Sequence, residues 1–243
     1  MNLPFFYLKE FSEEQTRIAL DEETSKHVVQ VLRMKKGERL HLTNGKGTLL
    51  TVEITSDHKK HCEVSVVDSQ FKTRGSDNYS PRKISVAMSL LKNASRFEWF
   101  LEKATEIGID DIILLLCERT ERQKFREDRM QNILISAMLQ SQQCWLPRLH
   151  RPMTYELLFR QDEIIHCAQK FIAHCGDEPK RNLADLVNES LPSQVILVGP
   201  EGDFTPAEVR LALQNHFDAV SLGGTRLRSE TAAIVAATLL KLT

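Results

Sequence analysis

The sequence predicts an α/β protein in two parts: a small β-rich domain over residues 1–70, a linker over 71–82, and an α/β domain built on a parallel sheet over 83–243. Three observations carry this. Short strand patterns broken by tight-turn signals fill the first part. A polar stretch with Gly and Pro, Gln70–Pro81, follows. From residue 83 onward, buried-type apolar runs alternate with helical periodicity to the end of the chain.

In the first part, Phe5–Leu8 reads as a short strand. Arg39–Thr43 alternates and stops at Asn44-Gly45, a strong tight-turn signal; Thr48–Thr55 and Cys62–Val67 read as the strands that follow. One helix, Ser25–Arg33, interrupts them, with Val28, Val31 and Leu32 expected on one face. Short strands with tight turns and one helix suggest a small β-barrel.

In the second part, the expected strands are Ile84–Met88, Asp111–Cys117, Phe171–His174, Gln194–Val198 and Ala219–Leu222. The expected helices are Ser95–Ile107, ended by Gly108 as C-cap, Arg126–Gln143, Leu183–Glu189, one opened by Thr205-Pro206-Ala207-Glu208, and Ser229–Leu240. Thr205 at N-cap, Pro206 at N1 and Glu208 at N3 make the fourth helix start the best marked.

Composition narrows the function. The net charge of the 243 residues is −1, so any basic surface is local. The densest cationic stretch, Arg119, Arg122, Lys124, Arg126 and Arg129, is interleaved with acids and reads either as a solvated helix face or as a phosphate contact. No membrane span or signal peptide is visible, which places the chain in the cytoplasm. Five cysteines without a CxxC pair read as reduced thiols, and His166-Cys167 with His174-Cys175 match no zinc spacing, so no metal is expected.

The most informative segments are late. Gly199-Pro200-Glu201-Gly202-Asp203-Phe204 follows one buried strand and Leu222-Gly223-Gly224-Thr225-Arg226-Leu227-Arg228-Ser229-Glu230-Thr231-Ala232 another. Glycines at strand ends bring bare backbone N–H and C=O groups against a flat or anionic ligand. His174-Cys175-Gly176-Asp177, after the 171–174 strand, is a third loop of the same kind. Three such loops predict a crevice at the carboxyl edge of the sheet. No GxGxxG, GxxxxGK[ST] or GxSxG pattern occurs, which disfavours dinucleotide, ATP and acyl-transfer chemistry.

These residues resemble the RsmE-type small-subunit (16S) ribosomal RNA uridine-N3 methyltransferases of the SPOUT class. The resemblance rests on GPEGDF and LGGTRLRSETA. It extends to His27–Gly37, to Lys92, Arg96, Glu98, Lys103, Glu106 and Gly108, and to Gln140-Ser141 and Pro147. It therefore covers nearly the whole chain. It implies a SPOUT-type trefoil-knotted parallel sheet, a PUA-like barrel domain that helps hold RNA, S-adenosyl-L-methionine as cofactor, and a homodimer. The implied reaction is methylation of N3 of a specific uridine in 16S ribosomal RNA. Two alternatives stand beside it: a non-catalytic RNA-binding or ribosome-assembly protein of the same fold, and a SPOUT methyltransferase acting on tRNA.

The chain departs from the family pattern at three places. Asp203 stands where a second Gly is usual, Thr225-Arg226 where Arg-Ile is frequent, and Gln143 where an Arg is common. His174, Gly199, Pro200, Glu201, Gly202, Leu222, Gly223 and Leu227 are the expected cofactor residues, the glycines through backbone hydrogen bonds and the leucines against the purine. Arg228 is the candidate to stabilise a uracil anion, or else an ion pair with Glu230; Glu230 is the candidate general base. Arg33, Arg96 and Arg119 are the candidate RNA contacts, and His27 is expected to pack on its helix face.

Overall fold

The computed structural model describes residues 3–11, 15–74, 81–121, 125–176 and 178–242. The chain divides into two compact units, Met1–Thr73 with Met138–Leu146, and Arg74–Ala137 with Pro147–Thr243.

The first unit is a five-stranded sheet of β1 (Phe5–Tyr7), β2 (Arg17–Ala19), β3 (Arg39–Thr43), β4 (Thr48–Ser56) and β5 (Glu63–Phe71), in the order β1-β3-β4-β5-β2. Alternation along the strands turns Leu40, Leu42, Leu50, Val52, Ile54 and Val64 inward, all essentially inaccessible to solvent. In the β3–β4 loop, the Asn44 side-chain oxygen accepts the Lys46 and Thr48 N–H groups at 2.8 and 3.2 Å. Gly47 lies against the Trp145 ring, where a Cβ would come within 2.5 Å of a ring carbon. The Trp145 indole N–H donates to the Lys72 carbonyl at 2.9 Å, so residues 138–146 complete this unit.

Helix α1 (Glu22–Lys26) starts where Asp21 accepts the Thr24 N–H at 2.7 Å. It widens into a π-helical turn, His27–Val31, closed by Leu32 N–H donating to the His27 carbonyl. This turn corrects the expected helix face. Val28 is fully buried, but Val31 and Leu32 are 67% and 43% exposed, because the wider turn rotates them away from the core. His27 packs edge-on against Phe6, in the role the sequence suggested.

The second unit is an eight-stranded parallel sheet. Its main order is β11 (Arg181–Asn182), β13 (Asp218–Ser221), β10 (Gln169–Ala173), β12 (Ser193–Val198), β6 (Lys83–Ser89), β7 (Asp111–Leu116), β8 (Arg148–Leu149), with β9 (Met153–Thr154) also on β7. The middle strands β6, β7 and β12 are covered on both faces, which is why they read as unbroken apolar runs. Helix α2 (Ala94–Ile107) buries Phe97, Phe100, Leu101 and Ala104, and Gly108 caps it at φ 86°. It packs on α7 (Ser229–Leu242), whose Ala233, Ala236, Ala237 and Leu240 form a small-residue stripe at helical spacing. Helix α3 (Glu127–Gln140) places Arg129 against Glu98, two hydrogen bonds of 2.5 and 2.8 Å, so one member of the cationic stretch is an ion-pair partner. Arg122 and Lys124 lie outside the described residues, as do 75–80 of the expected linker and Asp177 of the expected third loop.

One expectation changes, and several elements had none. Leu183–Glu189 is not a helix; only Leu183–Asp185 forms a 3-10 turn, after which the chain turns toward β12. The short helices α4 (Tyr155–Leu158) and α5 (Asp162–Ile165), with the two-residue strands β8, β9 and β11, are too brief for any periodicity to reveal. The strand β2 was equally invisible. Helix α6 (Pro206–Gln214) begins as expected. All five cysteines are free thiols, and no described helix is long and apolar enough to cross a membrane.

Candidate functional site

Strands β10, β12 and β13 run parallel and adjacent, so the three loops leaving their carboxyl ends emerge on one edge of the sheet. They enclose a cleft of about 610 Å³, with the start of α7 and Arg96 of α2 as the remaining wall. That size suits a small-molecule ligand.

The loop after β12 is stapled in place by its own side chains. Glu201 accepts the Lys92 backbone N–H at 3.0 Å, tying it to the loop after β6. Asp203 accepts the Cys175 N–H at 2.8 Å, tying it to the loop after β10. Glu208 closes the capping box of α6 with Thr205 and also accepts the Glu118 N–H at 2.8 Å, reaching the loop after β7. Arg119 answers from that loop by donating to the Gly202 carbonyl at 2.6 Å. Gly199 is buried beneath this lattice; a Cβ there would stand 3.1 Å from the Phe204 nitrogen and 3.2 Å from its ring.

Two polar groups on the cleft wall have buried atoms without a partner, His174 Nε2 and Glu230 Oε2. His174 Nδ1 accepts the Gly176 N–H at 3.1 Å, so the ring proton belongs on Nε2. Burial, then the nearby Lys180 ammonium, push the His174 pKa below its ordinary value, which favours the neutral ring. Glu230 is only 7% exposed and sits in the first turn of α7, where the helix dipole favours a carboxylate. Its Oε1 faces Arg96 Nε at 3.6 Å. Exposed Arg226 and Arg228 stand on the same wall, and the Arg228 guanidinium makes no ion pair among the described residues.

Most of the residues singled out from the sequence meet here. His174, Gly199, Pro200, Glu201, Leu222, Gly223, Leu227, Arg228, Glu230 and Arg96 all face the cleft. Gly202 is not among the cleft-lining residues: it is exposed beside the Arg119 side chain, whose Cδ would be 3.3 Å from a Cβ. The suggested Arg228–Glu230 ion pair is replaced by Arg96–Glu230. Glu201, left without a role by the sequence, is a loop tie. Arg119 is engaged with the β12 loop, and Arg33 lies in the first unit, exposed, with φ 58°. Sequence reasoning missed Lys180 and Ser221 in the wall; no local signal marks them, because they enter only through the folding of their strands.

At the opposite end of β6 and β7 lies a charged cluster. Buried Asp111 meets His150 at 2.7 Å, Lys83 at 2.8 Å and Arg148 at 3.2 Å, and Glu163 meets the same Lys83 and Arg148. Asp111, His150 and Glu163 are close enough to share a cation. Two cationic side chains already neutralise the carboxylates there.

The comparisons agree with this geometry. Residues 78–241 match the RNA methyltransferase domain and residues 20–67 the RNA methyltransferase PUA domain. Ribosomal RNA small subunit methyltransferase E of Synechocystis sp. is 29% identical over 215 residues, 86% of this chain and 68% of the relative. A probable rRNA-methyltransferase from Porphyromonas gingivalis has a similar structure, with TM-score 0.87, 32% identity and 98% of each chain covered. So does Ribosomal RNA small subunit methyltransferase E from Neisseria gonorrhoeae bound to S-adenosyl methionine, with TM-score 0.84, 30% identity, and 97% of this chain and 95% of that one covered. A three-loop cleft at the carboxyl edge of a parallel sheet, on a chain matched along two thirds of its length by one model, places this protein in the RNA methyltransferase domain family, with a PUA-like domain preceding it.

Proposed function

We propose that this chain is an S-adenosylmethionine-dependent methyltransferase acting on N3 of a specific uridine in small-subunit (16S) ribosomal RNA, working in the cytoplasm as a homodimer. The observation that carries the reading is the cleft. It combines bare backbone at Gly199 and Gly223, half-buried Leu222 and Leu227, and the unpartnered polar atoms of His174 and Glu230. That mixture fits a ligand with a flat apolar ring, hydroxyl groups and a charged end. The trefoil knot is part of the same proposal, taken from the resemblance.

The cofactor residues are His174, Gly199, Pro200, Glu201, Leu222, Gly223 and Leu227: the glycines for close backbone hydrogen bonds, the leucines for packing on the purine. The bound cofactor supplies an activated methyl group. The chain's own residues supply the rest. Uridine N3 is a poor nucleophile until it loses its proton, so the site must take up a proton and stabilise the resulting anion. Glu230 has a free oxygen and is the proton acceptor. Arg228, whose guanidinium makes no ion pair among the described residues, holds the negative charge that spreads onto the uracil oxygens. Arg96 fixes the Glu230 carboxylate. The base edge is reachable only when the nucleotide is splayed out of any pairing. Arg33 and Arg119 are proposed to contact RNA phosphates, which makes binding weaken as salt rises.

The test joins two measurements. Calorimetry of the purified chain with S-adenosylmethionine is expected to give saturable one-site binding. Mass mapping of small-subunit ribosomal RNA from a deletion strain is expected to lose one methylated uridine. An unchanged small subunit excludes the assignment, and a lost methyl group on tRNA redirects it.

A further inference from the structure

Asp203 is the one described cleft residue other than glycine that holds a left-handed backbone, with φ 64°. The resemblance leads one to expect glycine there, which adopts that conformation without cost. Aspartate tolerates it less well, and here its side chain has work that glycine cannot do. One carboxylate oxygen accepts the N–H of the next residue, Phe204, at 2.8 Å. The other accepts the Cys175 N–H at 2.8 Å, across 28 residues of sequence. With both oxygens engaged by backbone donors, the carboxylate is a clamp and not a proton acceptor.

What the clamp holds is the segment that carries His174. The bond from Gly176 N–H to His174 Nδ1 orients the ring, and Lys180 donates to the Gly176 carbonyl. Both of these are local to the β10 loop. Among the described residues, the Asp203 bond is the one hydrogen bond that ties that loop to the opposite wall of the cleft, where Gly199 and Pro200 stand.

We propose that Asp203 is a positioning residue for cofactor recognition: its carboxylate holds the His174–Gly176 loop against the Gly199–Asp203 loop, so that the Nε2–H of His174 faces the ligand. The inference rests on reading the cleft as the S-adenosylmethionine site. It makes a substitution within the glycine-rich motif a gain in loop order, where glycine would leave the two loops joined by no side chain at this position.

Two variants test it. Asp203→Gly relaxes φ and removes both acceptors; Asp203→Asn tolerates the same φ but can offer only one oxygen. Binding is read by calorimetry with S-adenosylmethionine, and turnover by methyl transfer to small-subunit particles. For both variants the cofactor Kd and KM are expected to rise about tenfold, the worth of one charge-assisted hydrogen bond, with kcat within about twofold. The melting temperature of Asp203→Gly is expected to stay within a few degrees of wild type. His174→Ala added to Asp203→Gly is expected to weaken binding little further, because the two act through one contact. Wild-type affinity in both variants overturns the proposal. So does a loss confined to kcat, or full multiplication of the Asp203→Gly and His174→Ala effects. Absence of binding by the wild-type chain overturns the reading of the cleft itself, an outcome the wild-type titration separates from the others.

Discussion

At the residue scale, the two glycines of the β12 loop have different tasks. Gly199 is buried, and a methyl group there would press on the Phe204 backbone nitrogen, which cannot move without shifting the Asp203 clamp. Gly202 faces Arg119, a long exposed side chain with room to give. Gly199→Ala is therefore expected to weaken S-adenosylmethionine binding by at least tenfold, and Gly202→Ala by less than threefold, both by calorimetry. Equal effects would mean that the loop responds as a unit. The sequence marked both positions alike, because a motif records that glycine is present and not what lies above it. It also marked the cleft residues well: His174, Leu222, Arg228 and Glu230 come together as the loop positions suggested. It missed the ties between loops. Glu201 finds its partner 109 residues away, Glu208 finds one 90 away, and Asp203 one 28 away. No window along the chain holds both ends of such a bond.

At the scale of single elements, local chemistry was the most legible. The start of α6 was readable because Thr205, Pro206 and Glu208 lie within one turn, and the structure contains the reciprocal bonds in full. The end of α2 at Gly108 was readable for the same reason. The π-turn at His27–Val31 was not, since its hydrogen-bond spacing departs from the 3.6-residue period on which the reading of Val31 and Leu32 depended. The double duty of Glu208 gives a measurable difference. Thr205→Ala removes one capping bond and is expected to cost about 1 kcal/mol in chemical denaturation. Glu208→Ala leaves both the Thr205 and Glu118 N–H groups without their acceptor and is expected to cost about 2–3 kcal/mol. Equal costs would show that the bond to Glu118 adds nothing to stability.

At the scale of the whole molecule, the carboxyl edge of the second unit's sheet holds the cleft and the amino edge holds the ion cluster around Asp111. Burial opposes ionisation of Asp111, but hydrogen bonds from His150 and then Lys83 outweigh it and hold the carboxyl below its ordinary value of 3.8. A folded-state pKa below the unfolded one contributes stability that is complete above about pH 4 and is lost as pH falls through the folded value. Asp111→Asn is thus expected to lower unfolding free energy by about 2 kcal/mol at pH 7, measured by urea titration. The difference from wild type is expected to shrink below pH 4. A difference that persists unchanged at pH 3 would assign the loss to packing and not to charge.

The first unit is discontinuous in sequence: Trp145, which covers Gly47 and bonds Lys72, is supplied long after β5 has ended. During synthesis, the sheet of residues 5–71 leaves the ribosome before its last wall exists. It must wait, with Gly47 uncovered, until residue 146 has emerged. Residues 1–73 moved into another protein would carry the sheet without the segment that covers Gly47; the whole unit is a pair of segments, and whatever lies between them must return the chain to the same place.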